Sequence, residues 1–219
     1  MEKLLTAPHF LKATLLAVCA LSSLDGAIIW ASSRNSELRG SHATVSAITP
    51  LKQITISTDR GSLTVQIGTN VTITDQYLGD MGLRNLLQYL TKDLTSLTIR
   101  NAGITKEGIS ALLEWDSNHH IRNLATLDLG CNNIGLEGIL LLTRRLRLHF
   151  ANITTLNLEH NNIGDDVTDM LIHDSMMPRN LKTINLRGNP LSPTSLGQLI
   201  GRFSGVNGRP LLMHESLPL

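Results

Sequence analysis

Between Leu94 and Ile200 the apolar residues recur in one fixed pattern, four times over. LTSLTIRNAGITKEGISALL begins at Leu94, LATLDLGCNNIGLEGILLLT at Leu124, ITTLNLEHNNIGDDVTDMLI at Ile153 and LKTINLRGNPLSPTSLGQLI at Leu181. The starts lie 30, 29 and 28 residues apart, and a degenerate copy, GTNVTITDQYLGDMGLRNLL, starts 26 residues earlier at Gly68. Repetition at this period predicts a solenoid of stacked, similar units.

Each column of the alignment has a physical reason. Leu97/Ile99, Leu127/Leu129, Leu156/Leu158, Ile184/Leu186 and Val71/Ile73 are apolar-x-apolar pairs, the pattern of a short strand with one face inward. Asn132, Asn161 and Asn189 follow three positions later, where a buried amide can bond the backbone left free as strand turns into loop. Ile104, Ile134, Ile163, Leu191 and Leu78 then plug the layer, and Gly108, Gly138 and Gly82 mark a helix start. Leu112, Leu142, Leu171, Leu199 and Leu86 follow at helical spacing, so each unit is predicted to close with a helix. One such unit cannot bury its own apolar face, whereas a stack of them makes a continuous core. Upstream, Ile54 and Ile56 alternate with Thr, Asp59-Arg60-Gly61 interrupts, and Leu63, Val65 and Ile67 alternate again. That is the period of two expected of a β-hairpin.

The L-x-x-L-x-L-x-x-N-x-I/L core at this period resembles the ribonuclease-inhibitor-like subclass of leucine-rich repeats, which includes Ran GTPase-activating proteins and the sensor regions of NOD-like receptors. The likeness runs from Gly68 to about Gly201. It implies an α/β fold: a short right-handed solenoid with parallel strands on a concave face and helices on a convex one, here with an N-terminal hairpin-like cap. It says little about the partner, because function lies in sites grafted onto folds. The pattern departs from the subclass at Ala102, where Asn is expected and Asn101 stands one position early, at Gln76, and at Pro190 directly after Asn189. Irregularity at both ends suits capping units.

The chain therefore divides into a signal peptide or membrane anchor at 1–31, a linker rich in Ser, Thr and Ala at 32–50, a β cap at 51–67, about five repeats at 68–203, and a cap strand and tail at 204–219. Counting 28 residues on from Ile184 reaches Leu212, where a last edge strand is expected after a loop at Ser204–Arg209. In the leader, Lys3 and Lys12 precede the uncharged run Ala13–Leu24, whose twelve residues match a signal-peptide core and fall short of the roughly 20 that span a bilayer. Val18-Cys19-Ala20 and Ala31-Ser32-Ser33 offer cleavage points. An anchor over 11–31 would bury Asp25 at a cost of about 3 kcal/mol. A capping helix is the third reading, and Val18 is too bulky for the lipid-attachment motif that Cys19 suggests. Export, or anchoring through the leader, is the expectation, with an intracellular location as the alternative.

Composition narrows the function. A net charge of +1 gives no field to steer nucleic acid, and 3% aromatic residues give no platform for stacking bases. Two cysteines, Cys19 and Cys131, make no disulfide framework. His119, His120, His149, His160 and His173 lack structural zinc spacing, and His119-His120 reads as part of a polar loop, Asp116 to Asn123. Arg144, Arg145, Arg147 and His149 read as a basic cluster after a helix, on a solvated face. No G-x-S-x-G elbow or phosphate-binding G-x-x-x-x-G-K-[ST] occurs. No cofactor, metal or nucleic acid is expected, nor catalysis. A protein partner is, with membrane contact only through an uncleaved leader. Asn70 and Asn152 begin Asn-x-Thr sequons that could carry glycan on a eukaryotic secretory route.

The candidate interface follows from strand alternation. Thr98 and Arg100, Thr126 and Asp128, Thr155, Asn157 and Glu159, and Thr183, Asn185 and Arg187 point away from the core, with Thr72, Thr74, Ser96 and Gly130 beside them. They read equally as the solvated face of a sheet, for which Thr is good material. As a set, hydroxyls flanking a row of Arg100, Asp128, Glu159 and Arg187 would specify a polar, oriented contact. Reversing charge at Arg100 and Arg187 is expected to weaken such a contact with the fold intact. Six strands about 4.8 Å apart span roughly 24 Å and expose on the order of 250 Å², against about 800 Å² per partner in a standard interface. The strand-to-helix loops must join in, or binding is weak, or the chain self-associates through an end.

Overall fold

A computed structural model of the chain describes residues 52–119, 122–172, 177–204 and 211–213. The leader, the linker, His120, His173, most of the loop at Ser204–Arg209 and the tail after Met213 lie outside the described residues. Two strands, β1 (Lys52–Thr58) and β2 (Gly61–Ile67), pair antiparallel with Ile54 opposite Val65 and Ile56 opposite Leu63. Ile54, Ile56, Val65 and Ile67 are buried while Gln53, Thr55, Thr64 and Gln66 are exposed, so the period of two sorts the hairpin into an inner and an outer face.

The repeats follow as β3 (Asn70–Thr74), α1 (Gly79–Leu87), β4 (Ser96–Arg100), α2 (Lys106–His119), β5 (Thr126–Asp128), α3 (Gly135–His149), β6 (Thr155–Asn157), α4 (Thr168–Ile172), β7 (Thr183–Asn185), α5 (Pro193–Arg202) and β8 (Leu211–Met213). β3 to β8 form one parallel sheet in sequence order. The register joins like columns: Leu97 pairs with Leu127, Leu127 with Leu156, Leu156 with Ile184 and Ile184 with Leu212. This is the α/β leucine-rich-repeat solenoid that the periodicity predicts. The inward residues of each strand and the helix leucines Leu86, Leu112, Leu142, Leu171 and Leu199 merge into one continuous buried core.

Two expectations are corrected. Asp116 to His119 is not loop but the last turn of α2. Asp116 is polar yet buried, because its carboxylate meets His149 Nδ1 at 2.9 Å, so a helical inward position was disguised as a solvent-facing one. For the same reason the basic residues Arg144, Arg145 and Arg147 do not follow a helix but lie within α3, whose last residue is His149. The fourth unit opens its helical segment differently: a 3-10 turn at Asp165–Val167 leads into α4.

Glycines at the helix starts mark close approach between units. A Cβ on Gly138 would lie 2.5 Å from Ile134 Cγ2 and 3.1 Å from the backbone Cα of Lys106 in the preceding unit. One on Gly82 would lie 2.9 Å from Thr58 Cγ2 of the hairpin. The hairpin is fastened further by its turn. Tyr77 donates its hydroxyl to Asp59 at 3.2 Å, Arg60 covers its ring at 3.7 Å, and the ring lies against Gly103. α5 starts where Ser192 Oγ accepts the Ser195 N–H at 3.2 Å, with Pro193 in the first turn.

The units are stapled by side-chain amides. Asn132 Nδ2 donates to Ile99 O at 2.7 Å in the preceding unit and to Leu129 O at 2.9 Å in its own. Its Oδ1 accepts the N–H of Ala102 and Ile104, both at 3.1 Å. Asn189 repeats the arrangement on Leu158 O, Leu186 O and the N–H groups of Asn161 and Ile163. Asn161 makes only half of it: Nδ2 donates to Leu129 O at 2.8 Å, but Oδ1 is buried without a partner. A buried backbone group left unpaired costs about 1–3 kcal/mol. Asn132→Ala and Asn189→Ala should each lower unfolding stability by roughly 2–4 kcal/mol, and Asn161→Ala by distinctly less. Urea unfolding followed by circular dichroism checks this; equal losses at all three sites would refute the asymmetry.

Candidate functional site

The outward face of the parallel sheet has three rows. Register aligns Asn70, Ser96, Thr126, Thr155, Thr183 and Leu211 in the first row, and Thr72, Thr98, Asp128, Asn157, Asn185 and Met213 in the second. The third carries Thr74, Arg100, Gly130, Glu159 and Arg187, all but Thr74 and Arg100 lying just past a strand end. Ser96, Thr98, Thr126, Thr155 and Thr183 are half-buried, Thr72 and Thr74 exposed, and Gly130 buried.

Three charged residues of this face, Arg100, Asp128 and Glu159, are turned onto one another, while Arg187 Nε is buried without a hydrogen-bond partner. Arg100 Nη2 donates to Glu159 Oε2 at 2.7 Å, two strands away, and Nη1 stands 3.8 Å from Asp128 Oδ1. The same Glu159 oxygen accepts Asn185 Nδ2 at 3.4 Å. The hydrogen bond to Glu159 holds the Arg100 guanidinium above its usual range, against the opposing pull of desolvation. Asp128, Asn157 and Asn185 also accept the N–H two residues on, from Gly130, Glu159 and Arg187, which fixes the loop after each strand. Charge reversal at Arg100 is thus not fold-neutral, because it would set three carboxylates together. Gly130 makes the long reach geometrically open: a Cβ there would lie 2.5 Å from Arg100 Nη1.

A further column escapes residue chemistry altogether. Asp75, Asn101, Cys131, His160 and Gly188 hold φ of 55°, 48°, 56°, 49° and 66°. Each sits two positions after the second inward strand residue, and the left-handed turn aims its N–H at the next unit. Asp75 N–H meets Arg100 O at 3.1 Å, Asn101 meets Gly130 O at 3.0 Å, Cys131 meets Glu159 O at 2.7 Å and His160 meets Arg187 O at 2.8 Å. Asp, Asn, His and Gly suit this conformation, whereas Cys adopts it rarely. Gly188 also leaves room for the His160 ring that lies against it. Burial pushes the Cys131 thiol up, so it stays protonated and weakly nucleophilic near neutral pH.

The loops that enter the strands carry their own amide ladder. Asn123 Nδ2 donates to Lys92 O at 3.4 Å, Asn152 Nδ2 to Arg122 O at 2.7 Å, and Asn180 Nδ2 to Asn152 Oδ1 at 3.0 Å. The signal was present as Asn before each strand's first apolar residue, in RNLATL, ANITTL and RNLKTI. Of the two sequons, Asn152 has both ends of its amide engaged, while Asn70 only accepts Thr95 Oγ1, at 2.7 Å. Among the described residues no three His, Cys, Asp or Glu side chains converge as a metal site.

A family model described as Leucine Rich repeat matches residues 120–142 and 151–166, and a second described as Leucine Rich Repeat matches residues 180–199. The chain carries leucine-rich repeats. No curated protein matches it. The leucine-rich repeats at Gly68 and Leu94 lie before those matched stretches, yet β3 and β4 continue their sheet in register.

The Arg100–Glu159 pair is about one quarter exposed, so solvent screens it and about 0.5–1.5 kcal/mol is the expected coupling. Gly130→Ala should displace Arg100 and cost about as much as Arg100→Met, and the two should be strongly non-additive. A double-mutant cycle by urea unfolding reads this, and strict additivity would contradict the geometry.

Proposed function

We propose that the chain is a protein-interaction module of the ribonuclease-inhibitor-like kind, exported from the cell, that binds its partner on the outward sheet face and the loops after the strands. The single observation that carries this reading is the state of that face. Its hydroxyl row is aligned strand by strand, and Arg100, Asp128 and Glu159 are already paired into one network that Asn185 of β7 joins. A partner meets Arg100, Asp128, Asn157, Glu159 and Asn185 already held by hydrogen bonds, which lowers the ordering cost of binding at those side chains. The subclass is supported by units of 28–30 residues with helices of 14 and 15 residues in α2 and α3. Pairing of Arg100 within the protein shifts the partner contact away from that cation, toward the hydroxyls and Arg187.

Thr126, Thr155 and Thr183 lie outside the charge network, so Arg at these positions adds bulk and charge without removing a bond. Thr126→Arg/Thr155→Arg/Thr183→Arg should abolish capture of a specific partner by the full chain with an unchanged circular dichroism spectrum, at a stability cost of about 1–2 kcal/mol because the three like charges stand directly opposite one another. A partner still captured by the folded triple variant would remove the sheet face as the binding surface.

Export rests on the leader. N-terminal sequencing of the protein from its native cells should find a new terminus after Ala20 or near Ala31. Met1 or Glu2 at the terminus would exclude cleavage and favour the second reading, an intracellular regulator of an enzyme such as a small GTPase.

A further inference from the structure

Stacking parallel βα units sets the helix C-termini, with the described residues that follow them, along one edge of the solenoid. That edge is basic. Arg84 and Lys92 lie at and beyond the end of α1, Arg122 follows α2, Arg144 and Arg145 stand on the last turns of α3, and Arg179 follows α4, all exposed. Against them stand the exposed carboxylates Asp93 and Glu114, while Asp116 is buried on His149. The opposite edge, at the helix starts, is acidic, with Glu107, Glu137, Asp165, Asp166 and Asp169 exposed. Helix dipoles account for acid at N-termini and base at C-termini. They do not account for Lys92, Arg122 and Arg179, which lie outside the helices.

Nor do they account for the apolar side chains on the basic edge. Leu148, in the last turn of α3, is 81% exposed between Arg144, Arg145 and the connection that follows. Tyr89 after α1 is 42% exposed, and Ile200 in the last turn of α5 is 36% exposed. Neither a phosphate polymer nor plain solvation gives the aliphatic Leu148 and Ile200 anything to gain. Guanidinium groups beside an exposed leucine and tyrosine are the combination that meets anionic headgroups and the acyl boundary beneath them.

We propose that the helix-C-terminal edge of this solenoid docks on a lipid bilayer carrying anionic headgroups, with Leu148 as the inserting side chain. The contact is peripheral, since among the described residues no helix is long and apolar enough to cross a membrane. It leaves the outward sheet face free for a protein partner and is independent of it.

Vesicle co-sedimentation of the full chain tests this, with the leader the same in every variant. Vesicles of phosphatidylcholine with about 30% phosphatidylserine should bind roughly tenfold more tightly than phosphatidylcholine alone, and the difference should vanish at about 0.5 M salt. Arg144→Glu/Arg145→Glu should remove the preference. So should Arg122→Glu/Arg179→Glu, which lies outside the helices and keeps the test valid if the first pair perturbs α3. Leu148→Ser should weaken binding about threefold with an unchanged circular dichroism spectrum. Equal binding to both vesicle types, or charge variants that bind like the wild type, would overturn the proposal. It would equally fall if polyuridylate displaced the vesicles and Leu148→Ser bound them undiminished, an outcome that would mark the edge as a phosphate-polymer site.

Discussion

The solenoid depends on one kind of contact, a buried asparagine amide reaching from its own unit into the one before. Burial of leucine is non-directional and would tolerate many stackings. The amide is not so tolerant. Asn132 and Asn189 each take carbonyls from two units and return an oxygen to two N–H groups of the earlier one. Only one offset between neighbours satisfies all of these groups at once. Register in the sheet, alignment of the helices and the order of side chains on the outward face all follow from that offset.

A polar staple inside an apolar stack is also what keeps the outward face rigid. The loops after the strands are held from beneath by the amides and from above by Asp128, Asn157 and Asn185. Arg100 can therefore cross β5 and rest on Glu159 without dragging backbone with it. The two edges of the solenoid inherit the same order, acidic where helices begin and basic where they end.

The repeat was legible because identical physical demands recur at a fixed period, so Leu127, Asn132 and Leu142 announce themselves by their counterparts. Legibility failed where a position is defined by backbone shape instead of chemistry. Asp75, Asn101, His160 and Gly188 are residue types that take a left-handed φ readily, but Cys131 is not, and no single side-chain chemistry marks the column. It failed again at Asp116, whose polarity reads as solvent but whose partner, His149, is 33 residues away. The row Arg100, Asp128, Glu159 and Arg187 was visible as a row. That Arg100, Asp128 and Glu159 satisfy one another was not, since a guanidinium reaching over two strands depends on the bare surface of Gly130. The ladder of Asn123, Asn152 and Asn180 lay in plain sight before each strand, hidden by the stronger leucine pattern beside it.

The unmatched oxygen of Asn161 carries one consequence for how the molecule comes apart. In a stack whose units touch only their neighbours, stability is a series of junctions, and the array parts at the weakest of them. The junction between the units that begin at Leu124 and Ile153 lacks half its staple. It is a fault line, dividing a hairpin-capped N-terminal block from a smaller C-terminal one that can fray while the first stays whole.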